Sequence, residues 1–309
     1  MKIITSLRDF AWTIGVPLDR LRKIADAPAA NYHEFSKWKD ASKTQVRMFR
    51  IPNEDLKNIQ RLIKKRILGE DAFGPEVQGG ISGRSPRTNA ENHVGARVLV
   101  TVDVKSFYDS VDHRAVFRTL REFGYSTPVA SLLTKLTTRN GLLPQGAPTS
   151  GCIANLVLAR AVDLPTRLQA ENTKTRFTRF VDDIALSGDN PAALIGDVAR
   201  RLSSRGLSIH RGAKLKVRPT SKPQRITGLN VNSGRPTVPR QYRDSVRAAI
   251  HSLAAIEDPV ERGKLINSLT GRISYIRQFQ PEAAQRLSNQ LSRATSSVRT
   301  SSGEASVTN

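Results

Sequence analysis

Thr175-Arg176-Phe177-Thr178-Arg179-Phe180-Val181-Asp182-Asp183-Ile184-Ala185-Leu186 sets two adjacent acids between apolar runs. The aromatic and β-branched residues on either side predict two strands that flank Asp182-Asp183 as a hairpin. An earlier run, Val98-Leu99-Val100-Thr101-Val102, leads straight into Asp103. Taken alone, an Asp-Asp pair in a loop is a solvated surface turn, and a lone Asp after a strand is a strand-end cap. Tight hairpins favour Asn-Gly or Asp-Gly, and two acids that repel each other add little to a turn. Together, at the ends of apolar strands, the three acids point to a divalent-metal site.

The rest of the chain supports that reading. Among 309 residues, Lys and Arg number 49 against 27 Asp and Glu, a formal net charge of +22. Such a field attracts phosphate backbones and makes affinity strongly salt-dependent. Composition alone fits a basic protein that merely coats nucleic acid. Phosphoryl transfer to a 3′-hydroxyl, however, uses two metal ions about 3.5–4 Å apart. Mg²⁺ keeps several waters, so two or three carboxylates suffice to hold it. The three acids in so basic a chain therefore indicate a nucleic acid polymerase. No apolar run approaches the roughly 20 residues that span a bilayer, and charges interrupt every apolar stretch of the N-terminus, so no membrane partner is expected. Cys152 is the only cysteine, which excludes an internal disulfide and suits a reducing cytoplasm.

Periodicity predicts an α+β chain. Leu7, Phe10, Ala11 and Ile14 share one helical face, and Leu18, Leu21 and Ile24 another. Short strands follow over 31–51, then a helix from about 53 to 68 with Asn53 as its cap. Residues 69–96 read as loop. Helices are expected near 112–123 and 127–137, and Thr149 is placed as the cap of one long helix to about 171. A helix near 190–205 and short strands to about 232 come next. The pattern turns all-helical after Pro239, and the Ser/Thr-rich end, 294–309, reads as unstructured.

At this point the residues resemble the reverse transcriptase family. Val102-Asp103-Val104-Lys105-Ser106-Phe107-Tyr108 is similar to its first catalytic motif. Leu143-Pro144-Gln145-Gly146-Ala147-Pro148-Thr149-Ser150 resembles its Pro-Gln-Gly signature, and Phe180-Val181-Asp182-Asp183 its aromatic-x-Asp-Asp box. One motif is weak evidence; three in the expected order are strong. The resemblance implies a right-hand polymerase: an N-terminal helical extension (1–30), fingers (31–96), an antiparallel palm with helices (97–232, with part of the fingers interleaved), a helical thumb (233–293) and a tail (294–309).

The resemblance also implies roles. Asp103, Asp182 and Asp183, with Val104, would hold two Mg²⁺ (or Mn²⁺) ions. Tyr108 would exclude a ribose 2′-hydroxyl, and Gln145 and Gly146 would line the nascent base pair. Arg47 would grip the dNTP triphosphate, with Lys39 as its partner. Lys214 would protonate the leaving pyrophosphate, although His210 stands where the family often has Asn. Gly228 and Leu229 would grip the primer. Each basic residue among these is also readable as ordinary surface charge.

Asn89-Ala90-Glu91-Asn92-His93 fits the Asn-Ala-x-x-His signature of bacterial retron enzymes, and Ile226-Thr227-Gly228 is close to their Val-Thr-Gly. Asn89 and His93 are therefore assigned to RNA or primer binding, against a plain loop-to-strand junction. Arg240, Arg243 and Arg247 recur on one helical face and would track an RNA stem. A retron enzyme copies a cognate structured noncoding RNA, primed from an RNA 2′-hydroxyl, into branched RNA–DNA (multicopy single-stranded DNA). By family it would serve in anti-phage defence beside an effector protein. Phe180-Val181 in place of the usual Tyr-Ala leaves room for another bacterial defence enzyme or a group II intron-like one. A non-catalytic RNA-binding scaffold on the same fold is the alternative from another class.

Overall fold

The computed structural model describes residues 1–27, 30–38, 44, 46–210 and 212–303. Two short helices open the chain, α1 (Leu7–Ile14) and α2 (Leu18–Ala25). Ser6 caps α1 by accepting from Asp9 N at 3.0 Å, and Gly15 ends it in the left-handed region. Strands β1 (Tyr32–Trp38) and β2 (Val46–Pro52) form an antiparallel ribbon, followed by α3 (Glu54–Arg66). Asn53 caps α3 as expected, accepting from Leu56 N at 3.0 Å.

The segment expected to be loop holds a helix, α4 (Pro86–Glu91). Pro86 at its first turn and a reciprocal Ser85–Thr88 capping box make so short a helix viable. Then come β3 (Val98–Asp103), α5 (Phe107–Ser110), α6 (His113–Glu122) and α7 (Thr127–Thr137).

The single long helix expected after Thr149 is interrupted. It runs as α8 (Ser150–Leu158), a π-helical turn (Ala159–Asp163) and α9 (Leu164–Asn172). Pro165 has no N–H to give a carbonyl one turn back, and the helix widens just before it. Thr149 makes no capping bond, and its hydroxyl is buried without a partner among the described residues.

The remaining elements are β4 (Arg176–Phe180), β5 (Asp183–Gly188), α10 (Ile195–Ser203), β6 (Lys216–Pro219), β7 (Arg225–Ile226), β8 (Leu229–Asn230), α11 (Arg240–His251), α12 (Pro259–Arg277) and α13 (Pro281–Gly303). The tail expected to be unstructured from 294 is helical to Gly303; residues 304–309 lie outside the described residues. Thr295 and Ser296 return their hydroxyls to the carbonyls of Leu291 and Ser292, so these polar residues fit a helix.

One antiparallel sheet, in the order β4-β5-β3-β6, organises the middle of the chain. Strand alternation splits it between two cores. Val100, Val102, Ile184 and Leu186 join the large core with α1–α3 and α6–α10. Leu99 and Ala185, on the other face, join a second core built by Leu229, Val246, Leu269, Ile273, Ile276 and Leu287. Asp103 and Asp183 continue this second face. Cys152 is buried, its Sγ 3.3 Å from Leu68 O, and burial lifts its thiol to about 12, which fits a packing role. Among the described residues no helix is long and apolar enough to cross a membrane.

Candidate active site

Phe180 pairs with Asp183, so Val181-Asp182 is the two-residue loop of the β4–β5 hairpin. Asp103 lies directly opposite Asp183 in the β3–β5 ladder. Residues opposite each other project from one face with Cβ atoms about 5 Å apart. Val104 N donates to Asp182 O at 2.9 Å, which ties the loop to the end of β3. Register alone therefore brings Asp103 opposite Asp183, and the hairpin loop carries Asp182 beside them.

Burial and crowding of like charge both act on these acids. Burial, then Asp182 and Asp103, lift Asp183 to about 6, although its side chain keeps solvent contact. Asp182 is raised too, by burial and by Asp103, while Arg47 and Lys214 pull it down. Among the described residues no set of three or more His, Cys, Asp or Glu closes into a ready ion cage. Reverse transcriptases as a family use divalent ions, and the mutually repelling carboxylates fit one.

Basic side chains stand beside the acids. Lys214 Nζ stands 3.4 Å from Asp103 Oδ1, and His210 Nε2 stands 3.5 Å from the same oxygen. Arg47, exposed on β2, is near enough for its charge to act on both Asp182 and Tyr108. Lys39, its expected partner, lies outside the described residues. Tyr108 is half-buried against Phe107, and burial, then Asp182, raise its phenol. Arg50 N donates to Gln145 O at 2.8 Å, joining β2 to the Pro-Gln-Gly loop. Gly146 has φ +113°, a conformation that favours glycine, with Arg50 O only 3.4 Å from where a Cβ would stand.

Two assignments need correction. Asn89 and His93 are buried, not presented to RNA. Thr178 Oγ1 donates to Asn89 Oδ1 at 2.7 Å, so His93 Nε2–H must donate to Thr178 (2.7 Å) and Ser187 Oγ to Nδ1 (2.7 Å). This chain fixes α4 against the back of the hairpin. Likewise the Leu229 side chain is wholly buried in the second core, whereas Gly228 is exposed in the Thr227-Gly228 turn of β7–β8.

Burial depresses the His93 ring from 6.5 to about 3, so it is neutral in the fold. A base with a lowered pKa stabilises the fold above its unfolded pKa, and that stability is lost as pH falls. Acidification from pH 6.5 to 4 is expected to cost roughly 3 kcal/mol through His93. His93→Gln should melt over a visibly flatter acid limb; superimposable limbs would exclude this source of acid sensitivity.

The sequence reading missed the brace behind the hairpin. Arg179 is fully buried and doubly bonded to Asp163, with Nε–Oδ1 at 2.7 Å and Nη2–Oδ2 at 2.6 Å. It shares a strand face with the core residue Phe177, so alternation alone would have put it inside.

The comparisons with known proteins agree with this geometry. The family model for reverse transcriptase (RNA-dependent DNA polymerase) matches residues 37–231. The chain is 33% identical to the retron Mx65 reverse transcriptase of Myxococcus xanthus, over 78% of this chain and 60% of that enzyme's length. It is 24% identical to the retron Ec86 reverse transcriptase of Escherichia coli, over 95% of this chain and 90% of that enzyme. A third relative, the retron Mx162 enzyme of Myxococcus xanthus, is 29% identical over 96% of this chain and 68% of its own length. The chain belongs to the reverse transcriptase family, and the relatives it resembles along most of its length are retron enzymes.

Proposed function

We propose that this chain is an RNA-directed DNA polymerase that copies a cognate structured noncoding RNA into a branched RNA–DNA molecule, primed from an RNA 2′-hydroxyl. The observation that carries the reading is Asp103 facing Asp183 across two strands, with Asp182 bonded to the same strand end. In this reading 31–96 are the fingers, 97–232 the palm and 233–293 the thumb.

Asp103, Asp182, Asp183 and the Val104 backbone are the candidate holders of two Mg²⁺ or Mn²⁺ ions. When bound, such ions supply activation of the attacking hydroxyl and neutralisation of the triphosphate. The protein's own groups do the rest. Arg47 clamps the dNTP phosphates from β2, and Lys39 is its candidate partner. The Tyr108 ring walls the sugar, and Gln145 and Gly146 shape the floor under the new base pair. Lys214 Nζ carries a proton beside the site for the departing pyrophosphate. Gly228, at an exposed turn, lets the primer backbone approach closely.

The thumb contact is expected to be weaker than the arginine count suggests. Asp244 sits between Arg240 and Arg247 and pairs with both, at 3.4 and 2.7 Å. Neutralising Arg240, Arg243 and Arg247 together should weaken RNA binding and flatten its log–log salt slope by about 1 to 2. An unchanged slope would remove this face from the RNA path.

The deciding experiment is to purify the protein from cells carrying its native flanking DNA. The bound nucleic acid is then sequenced with and without RNase and debranching treatment. A short unique DNA joined 2′–5′ to a structured RNA is expected. RNA alone would move the function toward another bacterial defence enzyme, a group II-like one, or a scaffold. Recovery of the branched molecule would also open a direct test of the proposed anti-phage role with a neighbouring effector protein.

A further inference from the structure

Val181 occupies the hairpin loop with φ +60°, a conformation that a β-branched residue rarely adopts. Such a residue persists only where its surroundings over-determine it. Here two groups bear on it directly, Arg179 and Gly79, and Asn155 joins them. Arg179 Nη1 donates to Val181 O at 2.8 Å and to Asn155 Oδ1 at 2.9 Å. Asn155 Nδ2 donates in turn to Gly79 O at 2.9 Å. Gly79 itself lies flat against the loop: a Cβ there would fall 2.4 Å from Val181 N. The strand-like segment around it is stitched to β4, with Arg179 N donating to Glu76 O at 2.8 Å and Gln78 N to Arg179 O at 2.7 Å.

Asp163 anchors the whole set from the π-turn between α8 and α9, with its carboxylate fully buried. A buried ion pair is seldom the most stable way to fill a core, since well-packed apolar residues often do as well or better. Stability alone therefore does not explain why a charged network ends on the loop that carries Asp182.

We propose that Arg179, held by Asp163 and Asn155, is a positioning residue. It fixes the strained Val181-Asp182 loop so that Asp182 and Asp183 stand where the metal ions need them. This rests on the reading of those two acids as metal ligands. Arg179 touches neither substrate nor metal in this account; it acts through the Val181 carbonyl and the Gly79 strand.

The test separates positioning from simple stabilisation. Asn155→Ala removes the link to Gly79 and leaves the Arg179–Asp163 pair intact. The double variant Arg179→Met with Asp163→Leu replaces the pair by apolar residues. Gln60→Met is the control, because Gln60 is equally buried but bonds Tyr32 and the Leu136 carbonyl, away from the hairpin. Each full-length protein is measured for Tm, for Mn²⁺ affinity by electron paramagnetic resonance, and for kcat and KM with dNTP on a primed RNA.

Asn155→Ala is expected to lose about tenfold or more in both Mn²⁺ affinity and kcat. Its KM for dNTP should stay within about twofold, because the nucleotide-gripping residues sit on other elements. The double variant, where it folds, should show the same losses with a near-wild-type Tm. Gln60→Met should lower Tm alone. Mn²⁺ affinity in Asn155→Ala equal to that of Gln60→Met overturns the proposal, whatever happens to kcat. If Asp182→Asn leaves Mn²⁺ binding of the otherwise unaltered protein unchanged, the metal reading itself fails, a separate outcome.

Discussion

Asp182→Asn and Asp103→Asn are each expected to cut DNA synthesis by on the order of 10³-fold or more. Losing a metal ligand removes several kcal/mol of transition-state stabilisation, and each 1.36 kcal/mol is tenfold in rate. The fold should survive the change. Burial raises both Asp182 and Asp183 above the ordinary carboxylate range, helped by Asp103 at each and by Asp182 at Asp183, so their charges oppose folding. Neutralising one acid should leave Tm unchanged or slightly raised in metal-free buffer. Added Mg²⁺ should stabilise the parent protein and not the variants. The pairing of lost activity with undiminished Tm separates a ligand from a structural acid, and a variant that melts early would assign Asp182 to the turn instead.

Asp163→Ala is expected to be among the most destabilising single changes in the chain. It strands a fully buried guanidinium whose Nε and Nη2 both bond that carboxylate. Breaking a buried pair from one side costs about 3–5 kcal/mol, or roughly 10 °C in Tm for a domain of this size. Arg97→Ala is the contrast. Its partner Asp189 is 3.4 Å away, and both side chains are 81% exposed. An exposed pair contributes under about 1 kcal/mol. Thermal melts followed by circular dichroism compare the two, and similar shifts would contradict the buried network.

These expectations also mark what could be read from residues alone. The three acids were legible because they follow apolar runs, and the long-range pairing of β3 with β5 then sets Asp103 opposite Asp183. Asn53 was legible as a cap for a local reason, its side chain bonding three residues on. The break itself was legible, because Pro165 falls inside the helix expected from Thr149 to about 171 and an interior proline interrupts a helix, but proline alone does not say that the chain answers with a π-turn. Asn89 and His93 carried a family signature in the right place, but signature does not say which way a side chain faces. Both turn inward to Thr178 and Ser187. Arg179 was hidden by its own charge, which reads as surface, and its partners lie 16 and 24 residues away in sequence. No periodic pattern links positions so joined; only the packing of α8, the π-turn and the hairpin does.

The carboxylates of β3 and the β4–β5 hairpin are proposed to support templated DNA synthesis. The most direct test is primer extension by the purified protein on a primed RNA of defined sequence, with dNTPs and Mg²⁺, with and without chelator. The account predicts DNA complementary to the template, formed only with metal and lost in Asp182→Asn. Absent incorporation, or a product whose sequence ignores the template, would contradict it.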